Sequence, residues 1–571
     1  MADTRVLRIT DDVSIVLCGE AGQGIQTVER LLTRVFKAAG CHVFATKEYM
    51  SRVRGGSNST ELRISSERRH AYLDRIDILV PLDKDAVAHL HRRITERTLI
   101  LGDREKLGTD RVMIDVPFSR IAQEVGSPLY ANTVAVGLIL GLFGIERQIL
   151  DDYMGKLFGA KSAEIVQKNI EAGKRGYDIG KELAGPGKIE ISVARHPEIR
   201  DEVIISGADA ISIGAIAGGC DFIAAYPMTP STDIITYLSQ HAAEFGIVAE
   251  QAEDEISAVN MAIGAWYAGA RAMVATAGGG FSLMTEGISL AGMIESPLVV
   301  SVGMRPAPAT GLPTRTEQGD LNLVMYAGHG EFPRIIFAPG SLEEAIFLSA
   351  HAFNLADRFQ VPVFILSDQY LIDSYYNFLL PPLNAINVER YITKTDADYR
   401  RYLLTDSGVS PRGVPGYGEG LVAADSDEHD EEGHITEDED VRQQMVEKRL
   451  KKLALIEKEM IPPALAGPDK FRTLILGWGS TRDVIAEAAA AVGRDDIAVM
   501  HCSQVYPLHP SVTNAMRQAE RTIIVEQNAT GQFARLIRGL TGVSADRMIH
   551  KYNGLPFSVE ELTERIKGVL P

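Results

Sequence analysis

Where the apolar run Phe222–Ala225 ends, the chain reads Tyr226-Pro-Met-Thr-Pro-Ser-Thr-Asp233. Pro227 and Pro230 each fix a φ angle and hold the residue before them, Tyr226 and Thr229, extended. A short buried strand therefore ends in a stiff, hydroxyl-rich loop that opens a helix at Asp233. In a parallel sheet the carboxyl ends of strands are where ligands bind, and such a loop suits a small carboxylate. The same residues also serve as a plain helix start with Ser231 or Thr232 as N-cap. Arg305 offers a second group. It follows the strand Leu298–Val302 and opens Pro-Ala-Pro-Ala-Thr-Gly-Leu-Pro-Thr-Arg-Thr-Glu-Gln-Gly319, a segment shaped by three prolines and two glycines. Arg305 and Arg315 with the hydroxyls of Thr310 and Thr314 suit bidentate capture of a carboxylate. An ordinary surface ion pair at Arg305 accounts for the same residues.

Two further features carry chemistry. Glu255 opens a helix after Glu250, Glu253 and Asp254. Carboxylates in a first helical turn complement the helix dipole. The alternative is a cofactor whose ring nitrogen a carboxylate must bond, as in thiamine diphosphate, where a Glu on the aminopyrimidine promotes the reactive tautomer. Near the N-terminus, Gly19-x-x-Gly22-x-Gly24 stands between strand and helix, an arrangement that suits an anion. Its spacing is not that of a dinucleotide fingerprint and no Gly-Lys-Ser/Thr follows, so a nicotinamide cofactor or nucleoside triphosphate is poorly supported. Arg52 and Arg54 lie near enough in sequence to favour a phosphate-bearing ligand; close helix–strand packing explains the glycines equally well.

The elements that position these residues read as α/β throughout. Residues 1–185 form a first unit: the strand Val13–Cys18, an amphipathic helix through Ala39 with Val28, Leu31, Leu32 and Val35 on one face, and strand candidates at His42–Thr46, Thr60–Ile64, Asp77–Leu82, Thr98–Leu101 and Val112–Val116. Gly185, Pro186 and Gly187 mark a linker. Residues 199–380 alternate strand and helix: Ile247–Glu250, the helix Glu255–Tyr267, Arg271–Thr276, a loop at Gly278-Gly-Gly280, the helix Phe281–Ile294, Leu298–Val302, Arg334–Ala338, the helix Leu342–Phe359 and Val361–Leu366. That order implies a parallel sheet covered by helices. Residues 381–469 are less regular. Asp425–Asp440 holds ten carboxylates and no Lys or Arg, which reads as an exposed acidic loop before a charged surface helix over 442–459. Residues 470–571, with strands at Thr473–Gly477, Ile497–Met500 and Thr522–Glu526, form a last α/β unit.

Composition bounds the possibilities. A chain of 571 residues holds three or four cores, and its net charge of −18 argues against nucleic acid or anionic membrane as a general partner. Cys18, Cys41, Cys220 and Cys502 are too far apart for a local metal or iron–sulfur site, and read as buried free thiols. No apolar run, Val134–Ile145 included, reaches membrane-spanning length. A cytoplasmic protein is expected.

Together these pieces resemble the 2-oxoacid:ferredoxin oxidoreductase family in its fused γ–α form, most closely the α subunits acting on 2-oxoglutarate. The resemblance covers nearly the whole chain. Residues 1–185 resemble the γ subunit through Gly19-x-x-Gly-Gln-Gly-Ile25, Arg54-Gly-Gly56 and Asn132-Thr-Val-Ala-Val-Gly137. Residues 199–380 resemble the pyrimidine-binding domain, and 470–571 the transketolase C-terminal-like domain. Tyr226-Pro-x-Thr-Pro-Ser is specific to the family, and so is Ser426-Asp-Glu-His-Asp-Glu-Glu-Gly433 with Thr436-Glu-Asp, which makes the acidic run a family motif. Met228 stands where Ile is commoner, and Thr232 where Ser is.

The resemblance implies roles for particular residues. Thr229 contacts the 2-oxoacid, Arg305 its carboxylate, and Thr314 helps place it, with Thr310 and Arg315 where a second carboxylate sits. Glu255 bonds the thiamine aminopyrimidine, with Tyr226, Pro227 and Gly279 beside the cofactor; Gly22, Gly24 and Arg54 touch coenzyme A. It also implies a separate β subunit that supplies the diphosphate and Mg²⁺ site and a four-iron four-sulfur cluster. This chain has neither a Gly-Asp-Gly diphosphate segment nor a cysteine cluster. The implied activity is oxidative decarboxylation of a 2-oxoacid, with electrons passed to ferredoxin, the acyl group to coenzyme A, and the reverse carboxylation open. A non-catalytic scaffold subunit is the competing expectation.

Overall fold

The structure is a computed structural model that describes residues 7–20, 25–50, 56–159 and 161–570. Its chain is α/β, with several sheets divided between two compact units.

The first unit comprises residues up to Ile205 with 374–380 and 558–561. Its eight-stranded mixed sheet runs, edge to edge, Ile114–Asp115, Leu99–Gly102, Ile78–Pro81, Asp12–Glu20, Ser57–Ser65, His42–Glu48, Tyr375–Phe378 and Val203–Ser206. The amphipathic helix occupies Ile25–Ala38, and Val28, Leu31, Leu32 and Val35 are buried in the core as their spacing requires. Helices Ala131–Leu142 and Ala163–Leu183 touch backbone to backbone. A Cβ on Gly137 would lie 2.0 Å from the Gly173 carbonyl oxygen, and one on Gly176 2.0 Å from that of Val134. The glycines of the Asn132–Gly137 segment and its partner helix therefore serve packing. Tyr375 and Tyr376 pair with Ala45 and Phe44, so a strand from far along the chain joins this sheet; strand pairing at such sequence separation leaves no local signal.

The second unit comprises 206–373, 381–557 and 562–571. Its seven-stranded sheet runs Val248–Gln251, Phe222–Ala225, Ala272–Ala277, Leu298–Met304, Pro362–Asp368, Ile335–Phe337 and Gln504–Tyr506, parallel except for the last strand. A five-stranded sheet of Ala464–Ala466, Ile497–Cys502, Thr473–Trp478, Arg521–Glu526 and Arg547–His550 packs in the same unit. The loop after Arg305 is pinned to this second sheet. Gln318 exchanges hydrogen bonds with Gln527, its backbone N–H donating at 2.7 Å and its side-chain oxygen accepting at 3.0 Å, and the Thr316 N–H donates to the Gly554 carbonyl at 3.1 Å.

Three local expectations are corrected. Gly278-Gly-Gly280 is not a loop but the first turn of the helix Gly278–Leu283, and the helix expected over 281–294 restarts as Thr285–Met293. These glycines allow close approach rather than a turn: a Cβ at Gly278 would lie 2.3 Å from an Asp320 carboxylate oxygen, and one at Gly280 2.4 Å from Glu255 Oε1. Ser231 is the N-cap residue of the helix Thr232–Gln240, but its hydroxyl does not cap. It donates to the Thr276 carbonyl at 2.6 Å, tying the Tyr226 loop to the next strand.

The acidic run is solvated only in part: Asp427 and Glu437 to Asp440 are exposed, as expected, but its middle is tied down. Glu428 accepts from Arg449 at 3.1 and 2.9 Å, the buried His429 ring lies 3.8 Å from that of Tyr402, and His429 bridges to Ile435. The helix after it, Glu439–Ile456, buries Lys448, Arg449 and Lys452. Lys448 Nζ donates to one Glu295 oxygen at 2.5 Å and Lys452 pairs with the other. A pattern of charge along a helix does not reveal that its lysines point inward at a carboxylate 150 residues away.

Candidate active site

Four neighbouring strands deliver the site. Their order in the sheet is Val248–Gln251, Phe222–Ala225, Ala272–Ala277, Leu298–Met304, all parallel, so the segments leaving their carboxyl ends lie side by side. These segments are Glu255 with its helix, the Tyr226–Ser231 loop, the Gly278–Gly280 turn and Arg305 with its loop. Residues up to 80 apart in sequence meet because parallel strands put every exit on one edge.

Arg305 and Thr229 are brought together, though not through the threonine hydroxyl. Arg305 Nη1 donates to the Thr229 carbonyl oxygen at 2.6 Å, while Arg305 Nε is buried with no acceptor. One end of the guanidinium is thus fixed and the Nε–H is left unspent. Gly303 belongs to the same junction, since a Cβ there would lie 2.5 Å from Ser231 Oγ.

Glu255 begins the helix Glu255–Tyr267, capped by Asp254, whose carboxylate accepts from the Ser257 N–H at 2.8 Å. Asp254 therefore does the capping and Glu255 is released from it. The Glu255 side chain is 3% exposed, and its Oε1 has no hydrogen-bond partner. A buried unpaired carboxylate oxygen costs roughly 1–3 kcal/mol or more, a cost that folding alone does not explain. Gly280 stands against this oxygen and Gly278 against Asp320, and the nearest atom to a Cβ on Gly279 is the Ala309 carbonyl oxygen at 3.9 Å. Three successive glycines thus face three parts of the site.

The remaining predicted residues are dispersed. Tyr226 is exposed and Pro227 half-buried at the mouth of the strand. Thr310 is exposed, one residue beyond Ala309. Thr314 is buried, Arg315 Nη1 donates to its carbonyl at 3.0 Å, and the Arg315 stem packs at Gly554 beside the five-stranded sheet. Gly22, Gly24 and Arg54 lie outside the described residues.

Two acids were not legible as site residues. Asp320 is 6% exposed, and its Oδ2 has no partner. Burial raises its pKa to about 6, against the opposing pull of the Arg305 guanidinium. Burial in turn lowers the Arg305 pKa, opposed by Asp320. Glu317 rises to about 7, through burial first and then the charge of Asp320. In sequence Asp320 reads as the cap of the short helix Leu321–Met325, but its side chain makes no capping hydrogen bond. An acid at a helix start is the only signal, and it points to the wrong role.

A cofactor with a ring nitrogen fits what is present. Glu255 offers a buried, unpaired carboxylate oxygen beside a residue without a side chain, the arrangement an aminopyrimidine requires. The donor set fits thiamine diphosphate at its pyrimidine end.

Comparison with known proteins agrees. Residues 213–448 match the family model described as pyruvate flavodoxin/ferredoxin oxidoreductase, thiamine diphosphate-binding, and residues 14–179 match that of pyruvate ferredoxin/flavodoxin oxidoreductase. The chain is 32% identical to the 2-oxoacid:ferredoxin oxidoreductase subunit alpha of a Sulfolobus species, over 98% of this chain and 97% of that protein. It is 31% identical to the 2-oxoglutarate synthase subunit KorA of Archaeoglobus fulgidus, covering 64% of this chain and 99% of the relative. Among solved structures, the 2-oxoglutarate:ferredoxin oxidoreductase of Magnetococcus marinus, with 2-oxoglutarate, coenzyme A and succinyl-CoA bound, superposes with a TM-score of 0.92 at 30% identity, covering 98% of this chain and 99% of the other. The chain belongs to the 2-oxoacid:ferredoxin oxidoreductase family and corresponds to its alpha subunit.

Proposed function

We propose that the chain is the α subunit of a thiamine-dependent 2-oxoglutarate:ferredoxin oxidoreductase. The reaction converts 2-oxoglutarate and coenzyme A to succinyl-CoA and CO₂, releases a proton and passes one electron to each of two ferredoxins; it is reversible. The observation that carries this reading is that Arg305 and Glu255, each with an unspent buried polar atom, both leave the carboxyl ends of strands in one parallel sheet. Likeness to a structure whose ligands are 2-oxoglutarate and coenzyme A favours this substrate over pyruvate.

Thiamine diphosphate, when bound, supplies the carbon nucleophile and electron sink that decarboxylation needs. Glu255 would hold its aminopyrimidine through the unpaired Oε1. Arg305, anchored at Nη1 by Thr229, presents its remaining N–H groups to the carboxylate that will leave as CO₂ and aligns it before bond cleavage. Tyr226, Pro227 and Gly279 would bound the cofactor side, Thr314 would help place the substrate, and Thr310 and Arg315 would face its distal carboxylate. The domain boundaries at 185, 199, 380 and 470 separate a γ-like region, the pyrimidine-binding domain, a connecting segment and a transketolase C-terminal-like domain. A β subunit contributes the diphosphate and Mg²⁺ site and the iron–sulfur cluster, and the γ-like region holds coenzyme A near Gly22, Gly24 and Arg54.

Steady-state rates of the purified complex on 2-oxoglutarate and on pyruvate, with ferredoxin as acceptor, test the reading. Preference for 2-oxoglutarate by at least tenfold in kcat/KM, about 1.4 kcal/mol, is expected. Faster turnover of pyruvate overturns the substrate, and no turnover of either in the presence of the β subunit overturns the catalytic role.

A further inference from the structure

Asp320 is the most conspicuous group that the proposed chemistry leaves unused. It is nine-tenths buried and one of its oxygens lacks any hydrogen-bond partner. It stands against Gly278, two residues from the glycine that faces Glu255, and it ends the loop that Arg305 begins. A side chain on Gly278 would displace it, so the chain gives up a Cβ to admit this carboxylate. Nothing in the packing needs a charge there. The backbone carbonyl of Asp320 accepts from the Val324 N–H at 3.0 Å without help from the side chain. Elsewhere in this unit buried carboxylates are paired: both oxygens of Asp357 meet guanidinium groups.

We propose that Asp320 is a positioning residue for the 2-oxoacid: it balances the Arg305 guanidinium in the free site and takes up a proton when a substrate carboxylate replaces it there. The proposal rests on the reading of Arg305 as the carboxylate-binding group. Its physics is competition between two anions for one half-buried cation. Asp320 forms no salt bridge with Arg305, but it stands against Gly278 at the exit of the neighbouring strand, and from there an ionised carboxylate partly neutralises the guanidinium. An arriving carboxylate brings a second negative charge, and two like charges beside one guanidinium in a poorly solvated site favour protonation of the one that can accept it. A simple carboxylate ligand stays ionised near neutrality, so Asp320, already raised to about 6 by burial, is the group that yields.

The groups facing Asp320 limit the alternatives. Arg305, from the strand Leu298–Met304, does not lose its proton in this range. Glu317, on the same loop, is half-exposed and also titrates near neutrality. Glu255 lies across the glycine turn from the helix Glu255–Tyr267. The proposal predicts that substrate binding is coupled to proton uptake, that the coupling belongs to Asp320 and not to Glu317, and that affinity weakens as pH rises through the neutral range.

The test is calorimetric binding of glutarate, a dicarboxylate that cannot react, to the complete oxidoreductase between pH 6 and 8. Paired buffers of different ionisation enthalpy count the protons taken up. Wild type should take up a fraction of a proton near pH 6.5 and bind several-fold more weakly at pH 8. Asp320→Asn should bind more tightly at pH 8, with no uptake and a flat pH profile, while Glu317→Gln keeps the uptake. In turnover, Asp320→Asn should lower both KM and kcat for 2-oxoglutarate, because removing the competing anion strengthens ground-state binding while the guanidinium loses its alignment. No proton uptake in wild type, or uptake that survives in Asp320→Asn, overturns the proposal. Since the wild-type measurement stands alone, a poorly folding variant does not shield it. Arg305→Lys separates the two readings. If it leaves glutarate affinity unchanged, the assignment of Arg305 itself fails; if affinity drops but wild type takes up no proton, only the role of Asp320 fails.

Discussion

Two regions of the second unit bury ionised side chains, and they do so in opposite ways. Around the helix Glu439–Ile456, Glu295 meets Lys448 at one oxygen and Lys452 at the other, and Asp357 is bridged by Arg271 and Arg412. At the strand-end edge Glu255 and Asp320 are buried and Arg305 is half-buried; neither carboxylate has an ion-pair partner among the described residues, and Glu255 Oε1, Asp320 Oδ2 and Arg305 Nε make no hydrogen bond. In the first region the charges answer one another. Burial pushes the Glu295 pKa up, but Lys452, Lys448 and Arg401 outweigh it and hold the carboxyl well below the usual carboxylate range. Two ammoniums share that one carboxylate, so burial brings Lys452 down to about 7 despite Glu295. In the second region burial outweighs Arg305 at Asp320, whose pKa rises. Burial of charge does not mark a functional site, and neither does one unpartnered atom, since Arg271 Nε and Arg412 Nε lack an acceptor inside the paired cluster. A buried carboxylate with neither an ion pair nor a full set of hydrogen bonds is the stronger marker, because it is desolvated and open to a ligand.

The contrast breaks first at Glu255. Glu255→Ala should lower turnover by about 10²- to 10⁴-fold and leave the melting temperature unchanged or raised, since the lost oxygen had no partner. Near-normal turnover would remove Glu255 from the chemistry. The converse holds at the paired cluster. Glu295→Ala strands two buried ammoniums and should cost roughly 3–5 kcal/mol, seen as a lower melting temperature and poor recovery of folded protein, while the kcat of the folded fraction is unchanged. Replacing Glu295, Lys448 and Lys452 together with apolar residues of similar size should recover much of that loss. A triple variant as unstable as Glu295→Ala would mean that the ion cluster is worth more than its desolvation.

The smallest expected effect concerns pH. A carboxyl whose pKa is raised by folding favours the folded state below its unfolded value, and that contribution is lost as pH rises through the folded value. Asp320 moves from 3.8 to about 6, so its ionisation destabilises the fold above pH 6 by about 1–3 kcal/mol. Asp320→Asn should therefore raise the melting temperature at pH 7.5 and leave it nearly unchanged at pH 4. Equal shifts at both values would trace the effect to packing rather than to charge.

Much of this was legible in the chain itself. The helices Glu255–Tyr267 and Leu342–Phe359 have the expected bounds, because apolar periodicity and flanking caps are local properties. The prolines after Ala225 mark the strand end, and the family resemblance rests on contiguous motifs. The Gly278–Gly280 turn was misread because a glycine that admits a neighbour's carboxylate looks, in sequence, like a glycine that turns the chain. The acidic run is legible at its exposed end and not in its middle, since charge density suggests solvent until the arginines that bind Glu428 and Glu431 come into view. Asp320 was missed altogether, its type and place being those of an ordinary cap.

The α/β class, the family resemblance and the residue types able to bind a carboxylate and a pyrimidine follow from residue order alone, because they depend on period, short motifs and short-range order. Which of those residues come together depends on the pairing of distant strands. Parallel pairing carries Glu255, the Tyr226 loop, Gly278 and Arg305 to one sheet edge. It leaves Arg305 bonded to the Thr229 backbone rather than to its hydroxyl. It also decided which buried charges are paired and which are left open, since pairing is a matter of distance in space that no local pattern encodes.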